Sequence, residues 1–320
     1  TFVRRPVTMT RMRYVVTGGT GFIGRRLITE ILALPGTTAV HVLVRRGSLG
    51  RFERLARDWD DRVHPLVGDL TAPNLGLTDA GVAALGVVDH VVHCGAVYDI
   101  TATEDRQRSA NVEGTRAVIG LARRLDATLH HVSSIAVAGT YRGVFTEDDF
   151  DLGQDLPTPY HRTKFEAERL VRDAEGLRYR IYRPAVVVGD SHTGEMDKVD
   201  GPYYFFGILS ALARLPRFTP MVLPDSGRTN IVPVDYVVAA MTEIMHLDGR
   251  DGQTFHLTAP ASIGLRGIYR AVAPAAGLPP VVGSLPRAAA APLLRASGRA
   301  RAVRNMAATQ LGVPAEILDV

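Results

Sequence analysis

The sequence predicts an α/β protein built on a doubly wound parallel sheet, joined to a smaller C-terminal region, and three observations carry this. Short apolar runs alternate with helix-period segments along residues 13–182, the rhythm of βαβ units. A cluster of glycines lies between the first apolar run and the first helical segment, where such folds make their tightest turn. After Gly189 the alternation stops, and Gly, Pro and aromatic residues dominate as far as residue 228.

Each element follows from its own pattern. Tyr14–Thr17 reads as a short buried strand, and Phe22–Ala33 places Ile23, Leu27, Ile31 and Leu32 at helical spacing. Val40–Val44, Val63–Val67 and Val87–His93 are the next three strands, the last followed by a helix over residues 107–124. Thr128–Val132 is a fifth strand, Tyr160–Asp173 a helix and Tyr179–Tyr182 a sixth strand. Ile231–Val232, a helix over Asp235–His246 and a strand at Thr254–Leu257 read as a return to the sheet. The expected division is a dinucleotide-binding domain of residues 12–190 with 229–257 returning, and a substrate-binding region of 191–228 and 258–320. Residues 1–11 lack periodicity and read as a tag or disordered segment.

Composition narrows the class. With 320 residues, 46% of them hydrophobic, the chain holds ample material for a core. No uncharged apolar run of 18 residues is present to span a bilayer. Cys94 is the single cysteine, which excludes an internal disulfide and a cysteine-built zinc site. No leader pattern opens the sequence, so a reducing, cytoplasmic setting is expected. Lys164 and Lys198 are the only lysines among 37 basic residues. They mark positions where a guanidinium does not replace an ammonium. The net charge of +4 is uneven: residues 252–315 contain seven arginines and no acid.

Thr17-Gly18-Gly19-Thr20-Gly21-Phe22-Ile23-Gly24 sits between a strand and an amphipathic helix. Glycine there lets the backbone turn tightly and approach a pyrophosphate, and the helix N-terminus presents N–H groups to it. The second strand runs into Arg45 and Arg46, where an acidic residue would suit the ribose 2′-hydroxyl of NAD; arginine suits the 2′-phosphate of NADP(H). Asp69, before Leu70, follows the third strand, placed to accept from the adenine amino group. Cys94, Gly95 and Ala96 follow the fourth, small enough for the cofactor to pass. Cys94 is either a small residue in a tight strand end or a nucleophile forming a thioester. No lysine or arginine adjoins it in sequence to favour a thiolate.

Tyr160 and Lys164 stand four apart at a helix start, hence on one face. An ammonium beside a phenol lowers the phenol pKa, and the same lysine reaches the nicotinamide ribose. Val132-Ser133-Ser134 ends the fifth strand, 26 positions before Tyr160, at the sheet edge where open α/β sheets bind ligands. A serine hydroxyl there bonds a substrate carbonyl alongside the tyrosine.

TGGTGFIG, Gly68-Asp69-Leu70, Asn111-Val112-Glu113-Gly114-Thr115, Ser133-Ser134, Tyr160…Lys164 and Arg183-Pro184 together resemble an extended short-chain dehydrogenase/reductase over residues 12–260. The resemblance implies a Rossmann fold, with Ser134, Tyr160 and Lys164 as catalytic triad. It implies that Asn111 belongs to the helix behind them and that Pro184, Ala185 and Val187 line the nicotinamide. A narrower likeness lies in Val187–Lys198, Asp200–Phe206, His93–Asp99 and Asn230–Asp235. These segments are similar to bacterial fatty acyl-CoA reductases, above all the N-terminal domain of the two-domain type, with Cys94-Gly95-Ala96 where that family tends to have Leu-Ala-Ala. This implies NADPH-dependent reduction of a long-chain acyl-CoA to the aldehyde and free CoA, or onward to alcohol. It also implies a further reductase domain in a longer chain, and Ile317–Val320 ends mid-pattern as an excised domain would.

Glu195, Met196 and Lys198 then fall in a lid over the substrate. Lys198 either ties that segment down, contacts a CoA phosphate, or is a solvated loop lysine. Tyr203 and Tyr204 bound an acyl channel or belong to ordinary core. The acid-free arginine stretch meets CoA phosphates, an anionic membrane surface or an acidic partner domain, or is a solvated face. No nucleic-acid motif accompanies it. The histidines lack metal-ligand spacing. Two other functions stay open: a nucleotide-sugar epimerase or hydroxysteroid-type dehydrogenase of the same fold, and a non-catalytic NADP(H)-sensing module.

Overall fold

Six strands and the helices between them form in the order the apolar runs foretell. The computed structural model describes residues 11–97, 103–196, 212–214, 216, 218–224 and 227–285. The chain divides into two compact units, residues 1–184 with 234–257, and residues 185–233 with 258–320.

In the first unit, β1 (Met12–Thr17), β2 (Thr37–Val44), β3 (Val63–Val67), β4 (His90–His93), β5 (Thr128–Val132), β6 (Tyr179–Pro184) and β11 (Gln253–Leu257) make one sheet. Its order is β11-β6-β5-β4-β1-β2-β3, and each neighbouring pair is parallel. Parallel pairing puts the carboxyl ends of all seven strands at one edge. The order reverses between β1 and β4, the crevice where doubly wound sheets bind ligands. Alternate residues face opposite layers. Val15, Val91, Leu129 and Ile181 pack with Val118, Ile119, Leu121 and Ala122 of α5 (Gly114–Leu125) and Val171 of α6 (Pro159–Arg172). On the other side α1 (Phe22–Leu32) packs with α7 (Val234–Met245).

Polar rings cross the sheet on the side of Tyr14. The Tyr14 hydroxyl pairs with His246 Nε2 at 2.8 Å, His90 Nδ1 with His130 Nε2 at 3.0 Å, and His130 Nδ1 with the Tyr182 hydroxyl at 2.9 Å. Burial holds His90 down to about 3 and His130 well below its ordinary value, so the row is a layer of neutral imidazoles.

Several boundaries depart from the sequence pattern for local reasons. β4 begins at His90, not Val87, because Val87 is 77% exposed while the Asp89 carboxylate accepts from the Arg13 N–H. The helix expected over 107–124 is α4 (Glu104–Arg108), a π turn at Ser109–Glu113, and α5, ended by Asp126 with φ 49°. Two short helices, α2 (Leu49–Leu55) and α3 (Asp79–Ala83), have no strong sequence period.

The second unit is built from strand pairs. β7 (Val186–Val188) pairs in parallel with β10 (Ile231–Pro233), β8 (Met221–Pro224) in parallel with β13 (Val281–Leu285), and β9 (Arg228–Thr229) antiparallel with β12 (Ile263–Gly264). Ile231–Val232 therefore joins β7 rather than the main sheet, contrary to expectation, because Val186 N–H donates to the Asn230 carbonyl and sets a separate register. Leu223, Tyr269 of α8 (Leu265–Ala276) and Leu278 form a small core. Among the described residues no helix is long and apolar enough to cross a membrane.

Candidate active site

The glycine turn is shaped by close approach. Gly18 has φ +69°, and a Cβ on it would lie 2.6 Å from the Gly95 nitrogen. A Cβ on Gly24 would overlap the Gly18 carbonyl oxygen, and one on Gly95 would lie 2.5 Å from Leu70 Cδ1. The turn after β1 and the turn after β4 thus touch backbone to backbone. Helix α1 starts at Phe22 with Gly21 as N-cap, no side-chain cap and no acid in its first turn. No side chain among the described residues caps its first N–H groups, and an anionic pyrophosphate would suit that dipole end. Thr20, Gly21, Phe22 and Ile23 are all partly exposed there. Arg45 and Arg46 are exposed at the end of β2. These features fit a bound dinucleotide.

Asp69 is turned to a local task as well. Its Oδ1 accepts from Thr71 N–H and Thr71 Oγ1, both at 2.9 Å. Leu70 lines Gly95 and Gly114. Cys94 is half-buried, and burial pushes its thiol up to about 12, which leaves it protonated at neutral pH.

Behind these turns runs a hydrogen-bond chain. Gly95 N–H donates to Thr17 Oγ1 at 3.2 Å, which pairs with His93 Nδ1 at 2.6 Å. His93 Nε2 pairs with Thr115 Oγ1 at 3.0 Å, and that hydroxyl donates to the Asn111 carbonyl at 2.6 Å. The threonine proton is thus committed, so His93 donates from Nε2 and accepts at Nδ1. Asn111 Oδ1 accepts from Val97 N–H at 2.7 Å, and Asn111 Nδ2 donates to the Val97 carbonyl and to Thr163 Oγ1. Thr163 in turn donates to the Tyr160 carbonyl at 3.3 Å. Asn111 is 2% exposed and is spent on this brace.

Strand β5 and helix α6 hold the remaining groups. Thr158 caps α6 by accepting from His161 N–H, with Pro159 at its first position. Tyr160 is half-buried at the helix start. Lys164, one turn on, is 4% exposed, and its Nζ donates to the Val132 carbonyl at 2.7 Å. Burial pulls its pKa down to about 8, against an upward pull from Glu168. Ser134 ends the strand in extended conformation, its hydroxyl accepting from Ala136 N–H at 3.1 Å. Ser133 turns the other way and donates to Glu168 Oε2 at 2.6 Å. The structure thus collects the glycine turn, Cys94–Ala96, Val132–Ser134, Tyr160 and Lys164 on the carboxyl edge of one sheet.

Pro184 closes β6, while Ala185 and Val187 belong to the second unit. So do Glu195, exposed, and Met196, half-buried, in a turn where Asp190 Oδ1 accepts from His192 and Thr193 N–H. Lys198, Tyr203 and Tyr204 lie outside the described residues, as do Tyr98, Asp99 and five of the seven arginines of the acid-free stretch. Among the described residues no group of three His, Cys, Asp or Glu is arranged for a metal. Sequence reasoning gave no role to the side chains of Thr17, His93, Thr115 and Thr163, each of which bonds a residue of another element. Glu168 had a usable signal, an i+4 spacing from Lys164 on the same helix.

Residues 16–241 match the family model described as Male sterility protein, an NAD-binding family. The chain is 30% identical over 275 residues, 78% of its length, to the non-canonical nonribosomal peptide synthetase hkm10 of Aspergillus hancockii. It is 30% identical over 273 residues, again 78% of its length, to the aldehyde reductase lnbA of Aspergillus flavus. It spans 26% of the length of each. The terminal R domain from the myxalamid PKS-NRPS biosynthetic pathway superposes with a TM-score of 0.76 at 27% identity, covering 97% of this chain and 82% of that one.

Proposed function

The chain belongs to the male sterility protein family of extended short-chain dehydrogenases/reductases and is a nicotinamide-dependent reductase; from that premise we propose that it uses NADPH to reduce an acyl thioester to the aldehyde and free thiol. The thioester is carried on coenzyme A or, by analogy with the synthetase relative, on a carrier domain. A long-chain acyl-CoA remains the probe of first choice. Lys164 supports the reading best: it is buried, tied to the Val132 carbonyl, one turn from Tyr160 and beside the strand end that carries Ser134. Preference for NADPH is supported by Arg45 and Arg46, with no acid at that strand end.

Bound NADPH supplies the hydride. The N–H groups opening α1 take the pyrophosphate, and Arg45 and Arg46 take the 2′-phosphate. Ser134 and Tyr160 donate to the substrate carbonyl oxygen, so charge developing there meets two fixed donors. Tyr160 delivers the proton, and the Lys164 ammonium lowers the cost of its leaving the phenol. The hemithioacetal then collapses, carbon–sulfur bond breaking, to aldehyde and thiol. Substrate recognition is assigned to the second unit, including Glu195, Met196, Lys198, Tyr203 and Tyr204. Val132 and Ser133 shape the cofactor floor. A cytoplasmic location and a further domain beyond these 320 residues belong to the same proposal.

NADPH oxidation with dodecanoyl-CoA, followed by thiol release and product chromatography, tests it. One thiol per NADPH means aldehyde, and one per two NADPH means alcohol. Oxidation without thiol release sinks the thioester reading. A dodecanoyl carrier-domain thioester turned over faster than the CoA ester makes the carrier domain the partner.

A further inference from the structure

Charge in the first unit collects beneath the catalytic helix. Glu168 stands one turn beyond Lys164 on α6 and is fully buried. Its Oε2 accepts from Ser133 Oγ at 2.6 Å, and its Oε1 from Arg183 Nη2 at 2.6 Å and Arg172 Nε at 2.9 Å. Arg183, also fully buried, donates a second time to the same carboxylate through Nε. Its Nη2 also donates to the Asp149 carbonyl at 2.8 Å, and its Nη1 reaches His256 Nε2 at 3.1 Å. Arg172 extends to Thr254 Oγ1 at 2.7 Å. The carboxylate therefore bonds the end of β5 and β6 directly, and is linked to β11 and to the loop at residue 149 through its two arginines. Burial alone would raise its pKa; Arg183, Ser133 and Arg172 outweigh that and keep it anionic.

A buried ion cluster is a poor way to add stability, since well-packed apolar side chains often do better in the same volume. Its placement argues for another use. Ser133 is the residue before Ser134, and Lys164 lies between Tyr160 and Glu168 on one helix face. We propose that Glu168 is a positioning residue for the reduction. Its carboxylate holds Ser133, and so Ser134, in register with α6, and supplies the negative charge that retains the Lys164 ammonium beside Tyr160. This rests on the catalytic reading of Ser134, Tyr160 and Lys164.

The groups facing Lys164 leave Glu168 as the anion that acts on it. From β4 come His93, held down to about 3 by burial, and Cys94, pushed up to about 12. From β5 comes His131, held well below its ordinary value by burial. All three are neutral near pH 7. From α6 itself come Tyr160 and Glu168, and beyond Glu168 stand the opposing charges of Arg183 and Arg172.

Two lysines in 320 residues make the test direct. Lysine labelled with carbon-13 at Cε gives two side-chain resonances, assigned with Lys198→Arg, and Lys164 is followed through a pH titration in the intact protein with NADPH and without. In Glu168→Gln its midpoint moves down by roughly one pH unit, and the alkaline limb of the kcat profile moves with it. Arg172→Met, which removes a cation at the cluster's partly exposed side, moves the midpoint up and stands in if Glu168→Gln does not fold. A lower melting temperature with an unmoved Lys164 midpoint in the folded variant means a structural role only, and overturns the proposal. The titration needs no turnover. An inactive wild type therefore counts against the thioester reading, and an unmoved resonance against the role of Glu168.

Discussion

Acidification from pH 7.5 to 5.5 should cost this fold a large part of its stability. His93, His130 and His131 are 2%, 0% and 1% exposed, and burial keeps each neutral far below the ordinary histidine range. In the unfolded chain each titrates near pH 6.5. Above that pH neither state is charged and the three contribute nothing. Below it the unfolded chain takes up three protons that the folded one refuses, so stability falls as pH falls, and for His93 the loss ends only near pH 3. Each site costs about 1.4 kcal/mol per pH unit, so the three together cost about 4 kcal/mol between pH 7.5 and 5.5. A domain holds about 5–15 kcal/mol in all. Urea unfolding followed by far-ultraviolet circular dichroism reads this as a fall in midpoint at unchanged slope. His131 offers an internal control, because among the described residues neither of its ring nitrogens has a hydrogen-bond partner. His131→Leu removes one proton site and two unsatisfied buried atoms, so it should reduce the acid loss by about 1.4 kcal/mol without destabilising at pH 7.5. A midpoint independent of pH over this range, or an undiminished acid loss in His131→Leu, refutes the reasoning.

Three further outcomes follow from the site. Tyr160→Phe should lower kcat by about 10²–10⁴-fold, the range for a lost general acid, while NADPH binding measured by fluorescence stays intact; normal turnover would return the chain to a sensing role. Arg45→Ala combined with Arg46→Ala should weaken NADPH binding by roughly tenfold or more and leave NADH binding unchanged. Equal losses for the two cofactors would count against the 2′-phosphate contact. Cys94→Ala should retain turnover, because a thiol pushed up to about 12 is no nucleophile at neutral pH; loss of turnover with intact cofactor binding would put the thiol on the reaction path.

What the sequence revealed was whatever its near neighbours control. Buried parallel strands read as apolar runs, so β1 to β6 were legible, and the glycine turn and the Tyr160–Lys164 pair are local spacings on either side of a helix start. Elements whose form depends on distant partners were not. The π turn at Ser109–Glu113 lies where Asn111 reaches Val97 and Thr163, and no residue within the helix signals those contacts. The two-residue strands β9 and β12 are too short to carry a period. Helix α8 contains Pro274 and no side-chain cap, both of which argue against a helix locally. In the site, Ser133 and Ser134 are indistinguishable by type, yet one faces Glu168 and the other caps the turn at Ile135. Only the packing of α6 against the end of β5 separates them.

The first unit is discontinuous, leaving after Pro184 and resuming at Val234 to end at Leu257. A ribosome working from the N-terminus therefore releases β6 long before its outer neighbour β11 exists. Leu27, Ile28 and Ile31 of α1 likewise emerge well ahead of α7, which packs against that helix. At 5–20 residues per second the gap between residues 184 and 257 lasts roughly 4–15 s. Through that interval a nascent chain carries an open strand edge and an uncovered apolar helix face, the features that chaperones hold and that aggregation exploits. A version shortened at residue 190 would keep both for life. It would be an incomplete sheet, unable to serve as a free-standing cofactor domain.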